Sequence, residues 1–93
     1  SIEIVLYRII QELVNNAIKH AQAQHVIIQI VKNEKNVTLT VEDDGKGFDV
    51  NVLEKIKGFG LSNIQSRVDY LKGNLEIDSQ NNIGTSFYIT IPV

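Results

Sequence analysis

The chain has 93 residues, a formal net charge of −2, 43% apolar residues and 22% charged residues, which is typical of one globular domain with one core. Its scattered lysines and arginines argue against nucleic-acid binding, and the absence of cysteine excludes disulfides and thiolate metal sites. No apolar run approaches the roughly 20 residues of a membrane span, and there is no signal-peptide pattern.

The first half of the chain predicts a helix followed by a hairpin. Apolar residues recur at spacings of three and four over residues 2–20, which is typical of an amphipathic helix. Residues 25–32 are rich in β-branched side chains, and residues 37–43 alternate between apolar and polar, so we expect two strands joined by a polar turn. Because the sequence starts inside the predicted helix, we expect residues 1–93 to be one domain of a longer protein.

The second half predicts a loop, a helix and another strand pair. Residues 61–73 have apolar residues at helical spacing and end on a glycine, a frequent helix stop. Residues 74–80 and 84–93 alternate as strands around an NNIG turn. The order α-β-β-loop-α-β-β predicts an α/β (α+β) two-layer sandwich, with helices packed on one face of a mixed or antiparallel sheet.

Asn16 is an unusual residue for the first predicted helix. At about 100° per residue it lies between Val5 and Ile9, within the edge of the apolar arc. Its amide competes for backbone hydrogen bonds, and burying it without partners costs free energy. Glu12 and Lys19 lie four and three residues away, so these side chains can meet. Two interpretations are open: an incidental asparagine at a solvated edge, or an oxygen ligand for a hard cation such as Mg²⁺.

The stretch VEDDGKGFD, residues 41–49, contains more than a hairpin turn requires. Asp44 and Gly45 would suffice for the turn, yet Asp43 precedes them and Gly47 follows. A carboxylate at a strand end can accept a hydrogen bond from an exocyclic amine such as that of adenine. Glycines let a ligand approach the main chain. The pattern is also compatible with an ordinary turn.

A second glycine pair precedes the second predicted helix. Gly58, Gly60 and Leu61 form the stretch GFGL, where free N–H groups and the helix dipole favour a phosphate. An ordinary loop-to-helix junction is the alternative. Neither the Walker P-loop nor the dinucleotide-binding pattern G-x-G-x-x-G is present.

The order and spacing of these stretches resemble the ATP-binding domain of the GHKL superfamily, the Bergerat fold. Within it, the chain looks most like the catalytic domain of a two-component sensor histidine kinase, in the subfamily that includes nitrate and cell-envelope stress sensors. YRIIQELVNNAIKHA at 7–21 is similar to the N box, and VEDDGKGFD at 41–49 to the G1 box. Residues 58–77 are similar to the G2 region and its following strand, and residues 84–92 to the closing strand.

The resemblance implies an ATP pocket with an adenine end and a phosphate end. Asp43 would take the adenine amino group, Gly45 and Gly47 would shape the pocket wall, and the Thr85 hydroxyl would line the adenine end. The phosphate-end residues that the resemblance implies are Asn16, as a ligand of Mg²⁺, Lys19 and His20 nearby, and Gly58, Gly60 and Leu61, whose backbone would approach the phosphates.

Residues 48–57 would then form the ATP lid. Its lysines, Lys55 and Lys57, either neutralise phosphate charge or are simply solvated. Glu12 and Asn16 have the E-x-x-x-N spacing in which the gyrase and chaperone branch of the superfamily uses the glutamate as a general base. We treat Glu12 as a catalytic candidate whose role is open.

The implied function is transfer of the γ-phosphoryl group of ATP to a histidine on a separate dimerisation helix of a homodimeric parent kinase. A response regulator would act downstream, and the domain would be cytoplasmic, with membrane anchoring of the parent left open. Neither His20 nor His25 fits the acceptor, so we expect the chain alone to bind nucleotide with little phosphorylation. The alternatives are an anti-sigma-factor-type serine kinase, a nucleotide-sensing module that transfers no phosphate, and a purely structural domain.

Overall fold

The computed structural model describes residues 2–19, 21–47 and 61–93. Its four strands form one sheet in the order β1-β2-β4-β3, and each neighbouring pair is antiparallel. The predicted two-layer α+β fold is therefore confirmed. Of the two predicted sheet types, mixed and antiparallel, the described residues form the antiparallel one. The elements in chain order are α1 (Ile2–Lys19), β1 (Val26–Lys32), β2 (Asn36–Asp43), α2 (Leu61–Tyr70), β3 (Asn74–Gln80) and β4 (Gly84–Pro92).

The two central strands, β2 and β4, supply the sheet side of the core. Alternate residues of each are buried and the residues between them are more exposed, because successive side chains of a strand point to opposite faces. Partners in the β2–β4 register share a face, so the buried side chains form one continuous apolar surface. Its members are Val37, Leu39, Val41, Phe87, Ile89 and Ile91.

Both helices cover that surface with residues spaced four apart. Ile9, Leu13 and Ala17 are the buried residues of α1, and Ile64 and Val68 are those of α2. All but Ala17 belong to one cluster with the sheet residues other than Val37. Burying a large aliphatic side chain contributes roughly 1.5–3 kcal/mol, so this cluster fixes both helices over the centre of the sheet.

The C-terminal end of α2 differs from its prediction in one respect. Gly73 was expected to be the stop, but the left-handed residue there is Lys72, with φ of 59°. The Gly73 amide donates to the Val68 carbonyl and the Lys72 amide to that of Asp69, at 2.9 Å each, which is the Schellman arrangement. Gly73 is required for another reason, since a Cβ on it would lie 2.7 Å from the carbonyl oxygen of Thr90.

Strand β1 lies at the edge of the sheet and is exposed on both faces. Ile27 and Val31 alternate with Ile28 and Ile30 along it, and all four are between 44% and 62% exposed. An edge strand with such side chains is a template for pairing with another strand.

Candidate functional site

Two residues predicted to bind nucleotide, Asp43 and Thr85, lie in one cross-strand row. Asp43 on β2 is opposite Thr85 on β4, which is opposite Ser79 on β3. The row lies on the helix-facing side, in line with the buried residues of β2 and β4. Thr85 is 3% exposed and Ser79 is 8% exposed, and their hydroxyl oxygens are 2.8 Å apart. The row closes the apolar core at one end with polar groups.

Asp43 ends strand β2 half-buried and with one oxygen engaged. Its Oδ1 accepts a hydrogen bond from the Gly45 amide at 2.9 Å, which is an Asx-type turn. Its Oδ2 has no hydrogen-bond partner among residues 2–19, 21–47 and 61–93. The turn therefore fixes the direction of the carboxylate and leaves one oxygen able to accept from a ligand.

The two glycines of the loop 43–47 are required by the backbone around them. A Cβ on Gly45 would lie 2.5 Å from the carbonyl oxygen of Ala21. Gly47 has a φ of 66°, and a Cβ there would overlap the carbonyl oxygen of Gln80. The loop therefore lies tightly between the end of α1 and the end of β3. This packing alone explains why glycine is required at both positions. That the two glycines contact a ligand stays a prediction.

Backbone hydrogen bonds join this loop to the last turn of α1. The Ala21 amide donates to the Asn16 carbonyl at 3.0 Å, and the Lys46 amide donates to the Ala21 carbonyl at 2.8 Å. Asn16 is half-buried in that turn, and Lys19 is exposed. The fold thus brings two stretches that are distant in sequence, the end of α1 and the loop 43–47, to the same end of the sheet.

A carboxylate that the sequence analysis treated only as a turn residue also organises this end. Asp44 Oδ1 accepts from the amides of Gln24 and His25, at 2.9 Å each, and its Oδ2 lies 2.8 Å from His25 Nδ1. The hydrogen bonds from His25, followed by that from Gln24, lower the pKa of Asp44 from 3.8 to about 2. Asp44 therefore remains ionised and holds the start of β1 against the loop.

The remaining predicted residues divide into two groups. Glu12 is half-buried four residues before Asn16, and Leu61 begins α2, half-buried against the core. The predicted positions that lie outside the described residues are His20, the lid 48–57 with its lysines, Gly58 and Gly60. No cluster of three or more potential metal-ligating side chains occurs in the part of the chain that the structure describes.

Ser79 is a residue of the candidate site that the sequence analysis missed. It occupies the third inward position of β3, after Leu75 and Ile77, both of which pack against the core. A small polar residue where the alternation predicts another apolar one is the signal that could have identified it. His25, expected to be simply an exposed strand residue, is exposed but paired with Asp44 just before β1 begins.

No helix in the part of the chain that the structure describes combines the length and the apolar character that crossing a bilayer requires.

Comparison with known proteins gives one consistent family. Residues 1–93 match the family described as histidine kinase-, DNA gyrase B-, and HSP90-like ATPase. The chain is 43% identical over 93 residues to the signal transduction histidine-protein kinase/phosphatase DegS of Brevibacillus brevis, a match that covers 99% of this chain. It is 38% identical over 92 residues, again 99% of this chain, to the oxygen sensor histidine kinase NreB of Staphylococcus carnosus.

A third relative is the sensor histidine kinase ComP of Bacillus subtilis, 44% identical over 80 residues, or 85% of this chain. The chain spans 24% of the length of DegS, 26% of NreB and 10% of ComP. The similarity therefore concerns one domain of each of these proteins.

Proposed function

The chain belongs to the family of histidine kinase-, DNA gyrase B- and HSP90-like ATPases, and on that premise we propose that it is the ATP-binding catalytic domain of a sensor histidine kinase. The observation that carries the proposal is the meeting of the Asp43–Thr85–Ser79 row with the last turn of α1 at one end of the sheet. The relatives that share almost the whole chain are named sensor or signal-transduction kinases.

At the adenine end, Asp43 is the residue we assign to the exocyclic amine. Its Oδ1 is held by the Gly45 amide, so Oδ2 is the oxygen that would accept from the base. Hydrogen bonds to charged groups contribute about 1.5–3 kcal/mol, which is enough to select a base carrying an amine. Thr85 would complete this end, with its hydroxyl oriented by Ser79 at 2.8 Å.

At the phosphate end, Asn16 is the proposed ligand of a magnesium ion that arrives with ATP, and Glu12 is its neighbour on the helix. Both are half-buried, and a spacing of four places them on one face of α1. Mg²⁺ is commonly held by one or two protein oxygens together with substrate phosphates and water, so a cluster of three acidic residues is not needed. Lys19, three residues beyond Asn16, would face the same phosphates, with His20, Gly58, Gly60 and Leu61 as further proposed contacts.

The reaction that we propose is phosphoryl transfer to a histidine ring nitrogen of the parent protein. The lone pair of the unprotonated ring nitrogen forms a bond to the γ-phosphorus, and the bond to the β–γ bridging oxygen breaks, so ADP leaves with that electron pair. The other ring nitrogen then releases its proton, and Glu12 is our candidate acceptor. Positioning and charge neutralisation supply most of the catalysis in such transfers.

The rest of the proposal concerns the parent protein. We propose a homodimeric cytoplasmic kinase region in which dimerisation helices bear the acceptor histidine and a response regulator receives the phosphoryl group. The single domain 1–93 would then have little kinase activity alone. Since the relatives named above are sensor or signal-transduction kinases, we do not favour an anti-sigma-factor-type serine kinase.

Calorimetric titration with a non-hydrolysable ATP analogue, with and without Mg²⁺, tests the nucleotide site. We expect saturable binding that Mg²⁺ strengthens and that Asp43→Asn weakens by tenfold or more, on the order of one charge-assisted hydrogen bond. Glu76→Gln is the matched control, because Glu76 is an exposed carboxylate on β3 outside the row. Absence of binding by folded wild-type protein, or an equal loss in both variants, would contradict the assignment.

A further inference from the structure

A cleft lies between α1 and α2, apart from the Asp43–Thr85–Ser79 row. It has a volume of about 460 Å³ and is lined by Arg67 of α2 and by six residues of α1, the apolar Ile10 and Val14 and the polar Arg8, Gln11, Glu12 and Asn15. The polar α1 residues recur at spacings of three and four, so they form one stripe along the helix. Arg67 is the residue through which α2 borders the same space.

The described residues that line the cleft carry more positive than negative charge. They include two arginines, Arg8 and Arg67, and one acidic residue, Glu12. Neither guanidinium forms an ion pair within residues 2–19, 21–47 and 61–93. Arg67 is half-buried and Arg8 is exposed, so the first is partly removed from solvent while the second stays reachable. An anionic partner would therefore complement this surface, and the rigid fork of arginine suits a carboxylate.

The cleft extends from the proposed phosphate end away from the adenine end. The loop 43–47 contacts α1 beyond its last residue, at Ala21. At 1.5 Å per residue, Glu12 lies about 6 Å from Asn16 along the helix axis and Arg8 about 12 Å from it. Glu12 therefore borders both regions. A nucleophile that approaches the γ-phosphate from this side would cross the cleft.

We propose that Arg8 and Arg67 are docking residues for the segment that carries the acceptor histidine, and that they bind carboxylate side chains flanking that histidine. This inference rests on the proposed function and names the chemistry of its protein partner. The two cations come from different helices, so they would fix the orientation of the partner as well as its position. Glu12, between them and Asn16, would face the docked histidine.

Autophosphorylation of the full-length protein, with its own acceptor histidine, tests the docking role. Acid-labile phosphohistidine would be measured from radiolabelled ATP in Arg8→Gln, Arg67→Gln and the control Lys35→Gln, which removes an equal charge beside the β1–β2 turn. We expect each arginine variant to lower the rate at saturating ATP by about fivefold, the effect of one exposed ion pair. The KM for ATP and the melting temperature should match those of the control.

Two further readouts separate docking from a structural effect. Added salt should slow the wild type more than either arginine variant, because salt screens the proposed arginine–carboxylate ion pairs and each variant already lacks one of them. Lysine at either position should restore part of the rate. The inference would be overturned if both variants autophosphorylated at the wild-type rate. It would also be overturned if their rates fell only together with a raised KM for ATP or a lowered melting temperature. Failure of wild-type protein to bind ATP would instead contradict the proposed function itself.

Discussion

The buried hydroxyl pair of Thr85 and Ser79 allows a quantitative test of the site. The two oxygens are 2.8 Å apart and their residues are at most 8% exposed. Ser79→Ala removes the hydroxyl that the Thr85 hydroxyl contacts, and an unmatched buried polar group costs about 1–3 kcal/mol. Thr85→Val keeps the shape and should cost less, because the Ser79 hydroxyl still donates to the Gly84 carbonyl oxygen at 3.4 Å.

The double variant should cost less than the sum of the two single variants. Once both hydroxyls are replaced by apolar groups, neither hydroxyl is left unmatched, although the Gly84 carbonyl oxygen loses its contact with Ser79. We therefore expect a coupling free energy of about 1 kcal/mol, within the range seen for residues in contact. Urea denaturation of the four proteins, followed by circular dichroism at 25 °C, measures it.

The same four proteins separate the structural role of Thr85 from its proposed ligand role. If its hydroxyl contacts nucleotide, Thr85→Val should weaken binding of the ATP analogue more than Ser79→Ala does, although it should destabilise the fold less. Strictly additive free energies of unfolding, within about 0.3 kcal/mol, would refute the hydrogen-bond argument. Equal affinities in both single variants would refute the ligand role alone.

Three further predictions follow from features away from that pair. Lys72→Gly should raise the free energy of unfolding by up to about 1 kcal/mol in urea denaturation, because a left-handed C′ position suits glycine. Asp44→Asn should lower the free energy of unfolding above about pH 4. The difference from wild type should disappear as the pH falls from 3.8 to about 2, because the interactions that lower the pKa of Asp44 stabilise only its ionised form. Urea denaturation at a series of pH values measures this difference. Leu39→Ala, at a 1% exposed core position, should cost about 2–5 kcal/mol in the same urea assay, and a smaller loss would show that the core relaxes around the cavity.

The sequence predicts the elements well because their signals are local. The alternation of β2 and β4 and the helical spacing of α1 are each visible within one short segment. Asn16 was identified as a polar exception within such a pattern and Asp43 as a carboxylate that the turn does not need, whereas Thr85 followed from the resemblance. The structure brings Asp43 and Thr85 directly opposite each other.

What the sequence did not reveal depends on register and on backbone approach. The contact of Ser79 with Thr85 follows from how β3 aligns on β4, and the pairing of His25 with Asp44 follows from how β1 aligns on β2. Neither alignment can be read from periodicity, because a shift of register leaves the pattern of each separate strand unchanged. The left-handed Lys72 was missed because Gly73, the better-known stop signal, is its neighbour.

The position of β4 has a consequence for how the chain is made. This strand lies between β2 and β3 although it follows both in sequence. During synthesis at roughly 5–20 residues per second, β4 is completed several seconds after β2. Until then, one edge of the β1–β2 hairpin and the inner face of β2 stay uncovered. We therefore expect the nascent chain to depend on ribosomal shielding or chaperone binding until β4 emerges, and truncations before Gly84 to yield aggregates rather than a smaller folded domain.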